Sequence, residues 1–254
     1  MSLPAILLKF RRYAVGFSGD IREMFHQVQI REDDVQAQRF LWRNLDEAKP
    51  PETYLMKAMI FGSACSPCSA QFVKNLNATE FQDQFPDAAR AIIESHYMDD
   101  LLDSKPSEKE AIKLIHDVIH VHHQAGFEIR NFVSSSKAVL QSLPPELRAV
   151  DEKNLCMETD MPTERVLGMW WDPNDDSFIF KLKFNRIPAA ITSGEKIPTK
   201  REVLRVIMSV FDPIGLIAHV IIQARILFKE IWKSAIDWDD QINDDCYKDW
   251  KKWL

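Results

Sequence analysis

Glycine and cysteine are scarce in this chain of 254 residues, which contains seven glycines and four cysteines. The four cysteines form no disulfide framework, so we expect a reducing compartment. The most apolar late stretch, LIAHVIIQARILF, is interrupted by His219, Gln223 and Arg225 and is too short to span a bilayer. The first residues, MSLPAILLKFRR, have no cationic residue ahead of their short apolar stretch, unlike a signal peptide. These absences predict a soluble, cytoplasmic protein without a membrane partner.

Apolar and aromatic side chains, by contrast, are plentiful. Hydrophobic residues make up 46% of the chain, with fifteen Phe and seven Trp. This composition predicts a packed globule of one or two domains rather than a disordered segment. Nucleic-acid-binding proteins are usually basic overall, so the net charge of -6 and the pI near 5.7 count against that class. A local cleft can still be basic on an acidic protein.

The order of predicted elements indicates an α+β fold. RRYAVGFSGDI reads as a strand that ends at Asp20, and YLMKAMIFG reads as a strand that ends at Gly62. IESHYM and LLDS flank a two-residue Asp99–Asp100 link and read as a hairpin. A capping box at 107–110 opens a long helix, FEIRNFVS is a further strand, and VLGMWW with SFIFKLKF forms a second hairpin. A capping box at 199–202 then opens a helical tail.

The adjacent acids Asp99 and Asp100, between apolar flanks, suggest a metal site. Two carboxylates about 4 Å apart repel by about 4 kcal/mol at an effective dielectric constant of about 20. A divalent cation such as Mg²⁺ removes that cost, and Asp20 at the end of the first strand can supply a third carboxylate in the same sheet. The alternative is a solvated turn. Such turns or helix ends explain the other acidic pairs: Asp33–Asp34, Asp175–Asp176, Asp239–Asp240 and Asp244–Asp245.

Several motifs in order resemble those of a known family. YMDD, residues 97–100, resembles the signature of reverse transcriptases. Two upstream stretches resemble palm motifs of that family, and a later one resembles its primer-grip hairpin: GDIREMFHQVQIREDDVQAQRFLW, MIFGSACSPCSAQF and VLGMWW. The segment TKREVLRVIMSVFDPIGLIAHVIIQARILFKEIW, followed by WDDQI, resembles the Pao/BEL class of LTR retrotransposon polyproteins.

The resemblance implies a polymerase palm, with an antiparallel sheet backed by helices, followed by a hairpin and a helical thumb-like subdomain. The palm would span residues 1–140, the connection and primer grip 141–194, and the thumb-like region 195–254. The fingers segment is expected before residue 1, and RNase H and integrase regions after residue 254. No Asp-Thr-Gly or Asp-Ser-Gly motif occurs, so a protease activity is not expected.

The resemblance also implies the chemistry. The activity would be RNA-directed DNA polymerisation, in which a primer 3′-OH attacks the α-phosphate of a deoxynucleoside triphosphate on an RNA or DNA template. Asp20 and Asp99 would be the principal ligands of two Mg²⁺ ions, or of Mn²⁺ in their place, with Asp100 as the third carboxylate. A cytoplasmic location, or one inside virus-like particles, goes with this assignment.

The remaining implied site residues contact the nucleotide and the primer. Phe25 would crowd a ribose 2′-OH and select deoxynucleotides, although its spacing from Ile21 also fits an ordinary core position. The nucleotide-binding residues would be Phe25, Phe61 and Gly62. The primer-binding residues would be Tyr97, Met98, Leu167, Gly168 and Met169.

Two departures from the family leave alternatives open. Arg130 is followed by Asn131 where a lysine is expected, and the resemblance places the fingers segment before residue 1. The alternatives are a catalytically inactive fragment that at most binds nucleic acid, and a two-metal nuclease with the same carboxylates.

Three other motifs favour structural explanations. The Cys65 to Cys68 motif has no second pair to complete a zinc site. The long helix carries three histidines, which fit a solvated flank: His116, His120 and His123. The pair Trp170–Trp171 fits core and interface packing.

Overall fold

The computed structural model describes residues 2–149, 160–180 and 187–254. The chain divides into two compact units, Met1–Leu167 with Asp172–Asp176, and Gly168–Trp171 with Ser177–Leu254. Residues 150–159 of the predicted connection and residues 181–186 of the predicted second hairpin lie outside the described residues.

The first unit mixes helices with strands. Its described α-helices are α1 (Leu3–Phe10), α2 (Ser66–Glu80), α3 (Pro86–Glu94), α4 (Glu108–Gln124) and α5 (Lys137–Gln141). Its described strands are β1 (Val15–Ile21), β2 (Arg39–Trp42), β3 (Glu52–Leu55), β4 (His96–Tyr97), β5 (Asp100–Lys105), β6 (Ile129–Ser134) and β7 (Glu164–Val166). Short 3-10 segments lie at Met24–Gln27, Val35–Ala37 and Pro145–Leu147.

The central sheet has the strand order β4-β5-β1-β6, and β1 pairs antiparallel with both β5 and β6. Alternation along the strands gives the sheet two different faces. One face is apolar, and Phe17, Ile21 and Leu101 are buried there in the main core. The other face carries Ser18 and Asp20 and lines a cleft. This arrangement confirms the predicted α+β class with an antiparallel sheet.

Helices cover the apolar face of the sheet. Helices α2, α3 and α4 pack on one another, and α4 contacts β1 and β5. Helix α4 begins where the capping box predicts, since the Ser107 hydroxyl accepts a hydrogen bond from the Glu110 N–H. The helix ends just before Gly126, whose φ of +74° is the left-handed conformation typical of a helix C-terminus.

Two predicted boundaries around residues 54–66 are wrong. The strand predicted to reach Gly62 ends at Leu55, which pairs with Arg39, the first residue of β2, so β2 offers no further strand residue beyond this point. The N-cap position of helix α2 is Cys65 rather than Ser66, and the Cys65 side chain makes no capping hydrogen bond. The Ser66 hydroxyl instead donates to the Ile60 carbonyl oxygen at 2.7 Å, which ties the preceding loop to the start of the helix.

The second unit is mainly helical. Its described helices are α6 (Ala189–Thr192), α7 (Lys200–Ser209), α8 (Ala218–Lys233) and α9 (Asp244–Trp253), and its strands are β8 (Met169–Asp172) and β9 (Ser177–Ile179). The adjacent strands β8 and β9 confirm the second predicted hairpin over the described residues.

The predicted capping box is present at the start of α7, where Thr199 and Glu202 exchange two hydrogen bonds of 3.2 and 2.7 Å. Helix α9 was not predicted; it begins at an Asn243 cap that accepts from the Cys246 N–H. Across the described ranges, no helix has both the length and the apolar character that crossing a bilayer requires.

Candidate active site

The predicted aspartate hairpin is formed by β4 and β5. His96 pairs with Leu101 and Tyr97 pairs with Asp100, so the two-residue turn is Met98–Asp99 rather than Asp99–Asp100. The correction is one residue, and its cause is that Asp100 already belongs to the ladder of β5. Met98 has a φ of +60°, which suits the left-handed geometry that tight hairpin turns require.

Pairing between β1 and β5 brings the predicted carboxylates together. Asp20 is the cross-strand partner of Asp100, and such partners lie on the same face of an antiparallel pair. The Asp99 carbonyl oxygen accepts a hydrogen bond of 3.0 Å from the Ile21 N–H, which fixes the turn against the end of β1. Asp20 and Asp100 line a cleft of about 330 Å³, whereas Asp99 is exposed at the turn and does not belong to its lining.

Burial makes both cleft carboxylates harder to ionise. Burial raises the pKa of Asp100 to about 6, and the charges of Asp99 and Asp20 add to this effect. Burial also raises the pKa of Asp20, against the opposing effects of a hydrogen bond from Asn131 and of the positive charge of Arg130. Ionisation of either carboxyl group is therefore costly in this cleft unless a positive charge lies beside it.

The oxygen donors of the cleft fit a hard divalent cation. Mg²⁺ is commonly bound by one or two carboxylates, and its shell is completed by water and substrate phosphates, which matches the pair Asp20 and Asp100. A larger cluster is not formed: over residues 2–149, 160–180 and 187–254, no three His, Cys, Asp or Glu side chains are grouped to hold a metal ion. Membership of Asp99 in a three-carboxylate set stays a prediction.

Two of the three predicted nucleotide-binding residues, Phe25 and Phe61, form a local aromatic cluster with His26. The rings of Phe25 and Phe61 lie 4.8 Å apart between centroids, and the Phe61 ring meets His26 edge-on at 5.6 Å. Phe25 is also packed against the main core, whereas Phe61 is 67% exposed. Gly62 has a φ of +91°, so a glycine suits the turn after Phe61.

The predicted primer-binding residues lie at two turns. Met98 accepts a hydrogen bond on its Sδ from the Gln71 amide at 2.8 Å, which ties the aspartate turn to α2. Leu167 and Gly168 both have left-handed φ values, and Leu167 lines the same cleft as Asp20. Met169 is buried. The structure thus brings Leu167 to the carboxylates; contact of these residues with a primer stays a prediction.

Two family models match separate parts of the chain. The family model for reverse transcriptase (RNA-dependent DNA polymerase) matches residues 5–137, which is more than half of the chain. The chain belongs to the reverse transcriptase family. A second family model, the Pao retrotransposon-like RNaseH-like domain, matches residues 199–254. The two matches confirm the resemblance to a Pao-like retrotransposon reverse transcriptase.

A solved structure supports the same fold. The chain is similar to the foamy viral protease-reverse transcriptase in complex with RNA/DNA hybrid, with a TM-score of 0.54 and 13% sequence identity. The alignment covers 100% of this chain and 28% of that chain, so this reverse transcriptase chain spans well under half of the viral protein. No curated protein matches this chain.

The helical segment after residue 199 has two competing interpretations. Its family model is described as RNaseH-like, whereas the sequence favours a thumb-like region and places RNase H after residue 254. The described helices α7, α8 and α9 share a core that includes Val206, Ala224 and Trp250. Both assignments stay predictions.

Sequence reasoning missed the polar groups that support the aspartate hairpin. Lys74 is buried and donates to the Ile92 carbonyl oxygen at 2.7 Å, and burial lowers its pKa to about 7. The buried rings of His96 and His122 meet Nε2 to Nε2 at 3.2 Å. Burial, with the charge of Lys74, lowers the pKa of His122 to about 3. These contacts join residues 18 and 26 positions apart in the chain, so no local pattern indicates the cluster.

Asn131 is the other missed residue, since the sequence marked it only as a departure from an expected lysine. Its side-chain amide donates to Asp20 Oδ1 at 2.7 Å. The alternative motifs stay unassigned: Cys65 and Cys68 are free and exposed, and the flank of α4 that carries His116, His120 and His123 is exposed.

Proposed function

We propose that this chain is the RNA-directed DNA polymerase module of a Pao-like retrotransposon. The observation that carries the proposal is the pairing of Asp20 with Asp100 in a cleft, with Asp99 held at the adjoining turn. Membership of the reverse transcriptase family supports it. The partners are a primer annealed to an RNA or DNA template, and deoxynucleoside triphosphates.

We assign separate roles in phosphoryl transfer to the carboxylates and to the predicted primer-binding residues. Asp20 and Asp100, with Asp99 beside them, would hold two Mg²⁺ ions. When bound, these ions supply positive charge to the phosphate oxygens and make the primer hydroxyl a better nucleophile. In this transfer the 3′ oxygen would lose its proton to solvent water and bond to the α-phosphorus, while the bond from that phosphorus to the leaving pyrophosphate breaks. Leu167, Gly168 and Met169 would support the primer.

Selection of the sugar is assigned to the aromatic cluster. Phe25 is held between the core and the Phe61 ring, so its position is fixed from two sides. A fixed ring next to the nucleotide would exclude a ribose 2′-OH by contact. Phe61 and Gly62 would lie beside the base pair that forms. We further propose a cytoplasmic or virus-like-particle location for the polymerase.

The test is primer extension on an RNA template with single substitutions at each carboxylate. Asp20→Asn, Asp99→Asn and Asp100→Asn should each reduce extension by about 10²–10³-fold, because each removes a charge that the phosphoryl-transfer site requires. Asp33→Asn and Asp34→Asn are matched controls, since they alter an acidic pair that is exposed and lies outside the cleft. Circular dichroism would verify that every variant is folded.

The same assay separates the alternatives. A folded wild-type protein that extends no primer, with the carboxylate variants equally inactive, would identify a catalytically inactive fragment that at most binds nucleic acid. Degradation of the primer without added nucleotides would instead indicate a two-metal nuclease. Equal extension by wild type and all three variants would remove the carboxylates from the mechanism.

A further inference from the structure

Strand β6 carries a bulge beside the predicted catalytic carboxylate. The pairing with β1 joins Ser18 to Val133 and Asp20 to Arg130, and the register shifts between these two pairs. Two residues of β6, Asn131 and Phe132, therefore stand opposite the single residue Gly19. A bulge of this kind bends its strand and changes the direction of a side chain, and bulges recur next to active sites.

The bulge depends on both strands. Asn131 has a φ of +53°, in the left-handed region that asparagine tolerates better than most residues. The ring of Phe132 fills the space above Gly19, where an added Cβ would lie 2.8 Å from a ring carbon. Any side chain at residue 19 would therefore disturb the bulge next to Asp20.

In this geometry the Asn131 amide donates to one oxygen of Asp20, Oδ1, at 2.7 Å. We propose that Asn131 is a positioning residue that holds Oδ1 of Asp20, so that the other oxygen, Oδ2, is the one presented to a divalent cation. An amide has no ionisable proton, so it orients the carboxylate without the proton-transfer capacity of the expected lysine. The inference rests on the proposed function, because it assigns Asp20 to cation binding.

The test replaces the amide while the backbone is kept. Asn131→Gly removes the side chain, and glycine accepts the left-handed φ without strain. Asn44→Gly is the matched control, because Asn44 has a φ of +52° but is exposed and far along the chain from the cleft residues. Asp20→Asn is the reference for loss of the ligand itself. The probe is Mn²⁺, whose free concentration is measured by electron paramagnetic resonance.

We expect Asn131→Gly to raise the Mn²⁺ dissociation constant about 10- to 100-fold, as is typical when a partner of a metal ligand is lost. Asn44→Gly should leave it unchanged, and both variants should unfold within about 4 °C of wild type without metal. Where the chain extends a primer, the half-saturating Mg²⁺ concentration should rise by a similar factor.

Four results would overturn or separate the proposals. Unchanged Mn²⁺ affinity in Asn131→Gly would overturn the positioning role, and loss of folding in that variant alone would assign the amide to stability instead. If Asn131→Gly weakens Mn²⁺ binding but the wild-type protein extends no primer, the polymerase function is rejected and the role of Asn131 stands. If the wild-type protein extends primers and Asn131→Gly binds Mn²⁺ as tightly as wild type, the role of Asn131 is rejected and the polymerase function stands.

Discussion

Two antiparallel hairpins in the first unit have very different surroundings. Strands β2 and β3 pair over four residues each, and all eight residues are exposed. Strands β4 and β5 form a hairpin with a tight turn, but β5 also pairs with β1 along six residues. Leu101 and Leu102 of β5 are buried as a result.

The difference between the two hairpins is the third strand, since β1 pairs with the aspartate hairpin and β2–β3 is a two-stranded sheet. A two-stranded hairpin is marginally stable by itself in water. Strand β1 adds a core face for Leu101, a carboxylate in register with Asp100, and an N–H that holds the Asp99 carbonyl. Nothing comparable is joined to the β2–β3 hairpin among the described residues.

The largest test of this comparison is a matched pair of truncations. Leu101 is 0% exposed in β5 and Leu41 is 66% exposed in β2. Leu101→Ala should lower the free energy of unfolding by about 2–5 kcal/mol, because it leaves a cavity in the core. Leu41→Ala should change it by less than about 0.5 kcal/mol. Denaturant titration measures both, and equal losses would show that the exposed hairpin is as integral as the aspartate hairpin.

The second test uses the pH dependence of stability. Burial lowers the pKa of Lys74 to about 7 in the folded protein from an ordinary value of 10.5. The unfolded chain therefore binds more protons between these pH values, and wild-type stability should rise with pH across this window. Lys74→Met removes this dependence, so its stability relative to wild type should fall by on the order of 2 kcal/mol between pH 7 and pH 9.

Lys49→Met is the control for that experiment. Lys49 lies in the loop of the exposed hairpin and forms an exposed ion pair with Asp46, so its replacement should leave the pH dependence of the free energy of unfolding unchanged. Parallel stability curves for wild type and Lys74→Met from pH 7 to 9 would mean that Lys74 stays protonated in the folded core. The buried group of α2 that supports the aspartate hairpin would then be a charged lysine.

Much of this architecture was predictable because its causes are local in the chain. Hydrophobic alternation placed the end of β1 at Asp20, one residue before its observed end at Ile21, and turn chemistry placed the aspartate hairpin within one residue. The cap at Ser107 and the capping box at Thr199 predicted two helix starts. These features depend on residues within about one turn of each other, so the sequence alone contains them.

The supporting groups of the site were not predictable because their causes are distant in the chain. Asn131 meets Asp20 across 111 residues, and only the bulge opposite Gly19 directs its amide there. His96 meets His122 across 26 residues and a sheet-to-helix interface. A pattern of residue types carries no information about such contacts; the ordered family motifs identified the carboxylates but not the groups that hold them.

The smallest test concerns the exposed hairpin itself. Phe40 and Tyr54 are cross-strand partners whose rings stack at 5.7 Å between centroids, and both are partly solvated. Phe40→Ala should cost no more than about 1 kcal/mol, because it removes one aromatic pair and little buried area. The change should appear as faster amide hydrogen exchange confined to residues 39–55. Faster exchange in β1 or β5 as well would mean that the two hairpins unfold together, and the contrast between them would then fail.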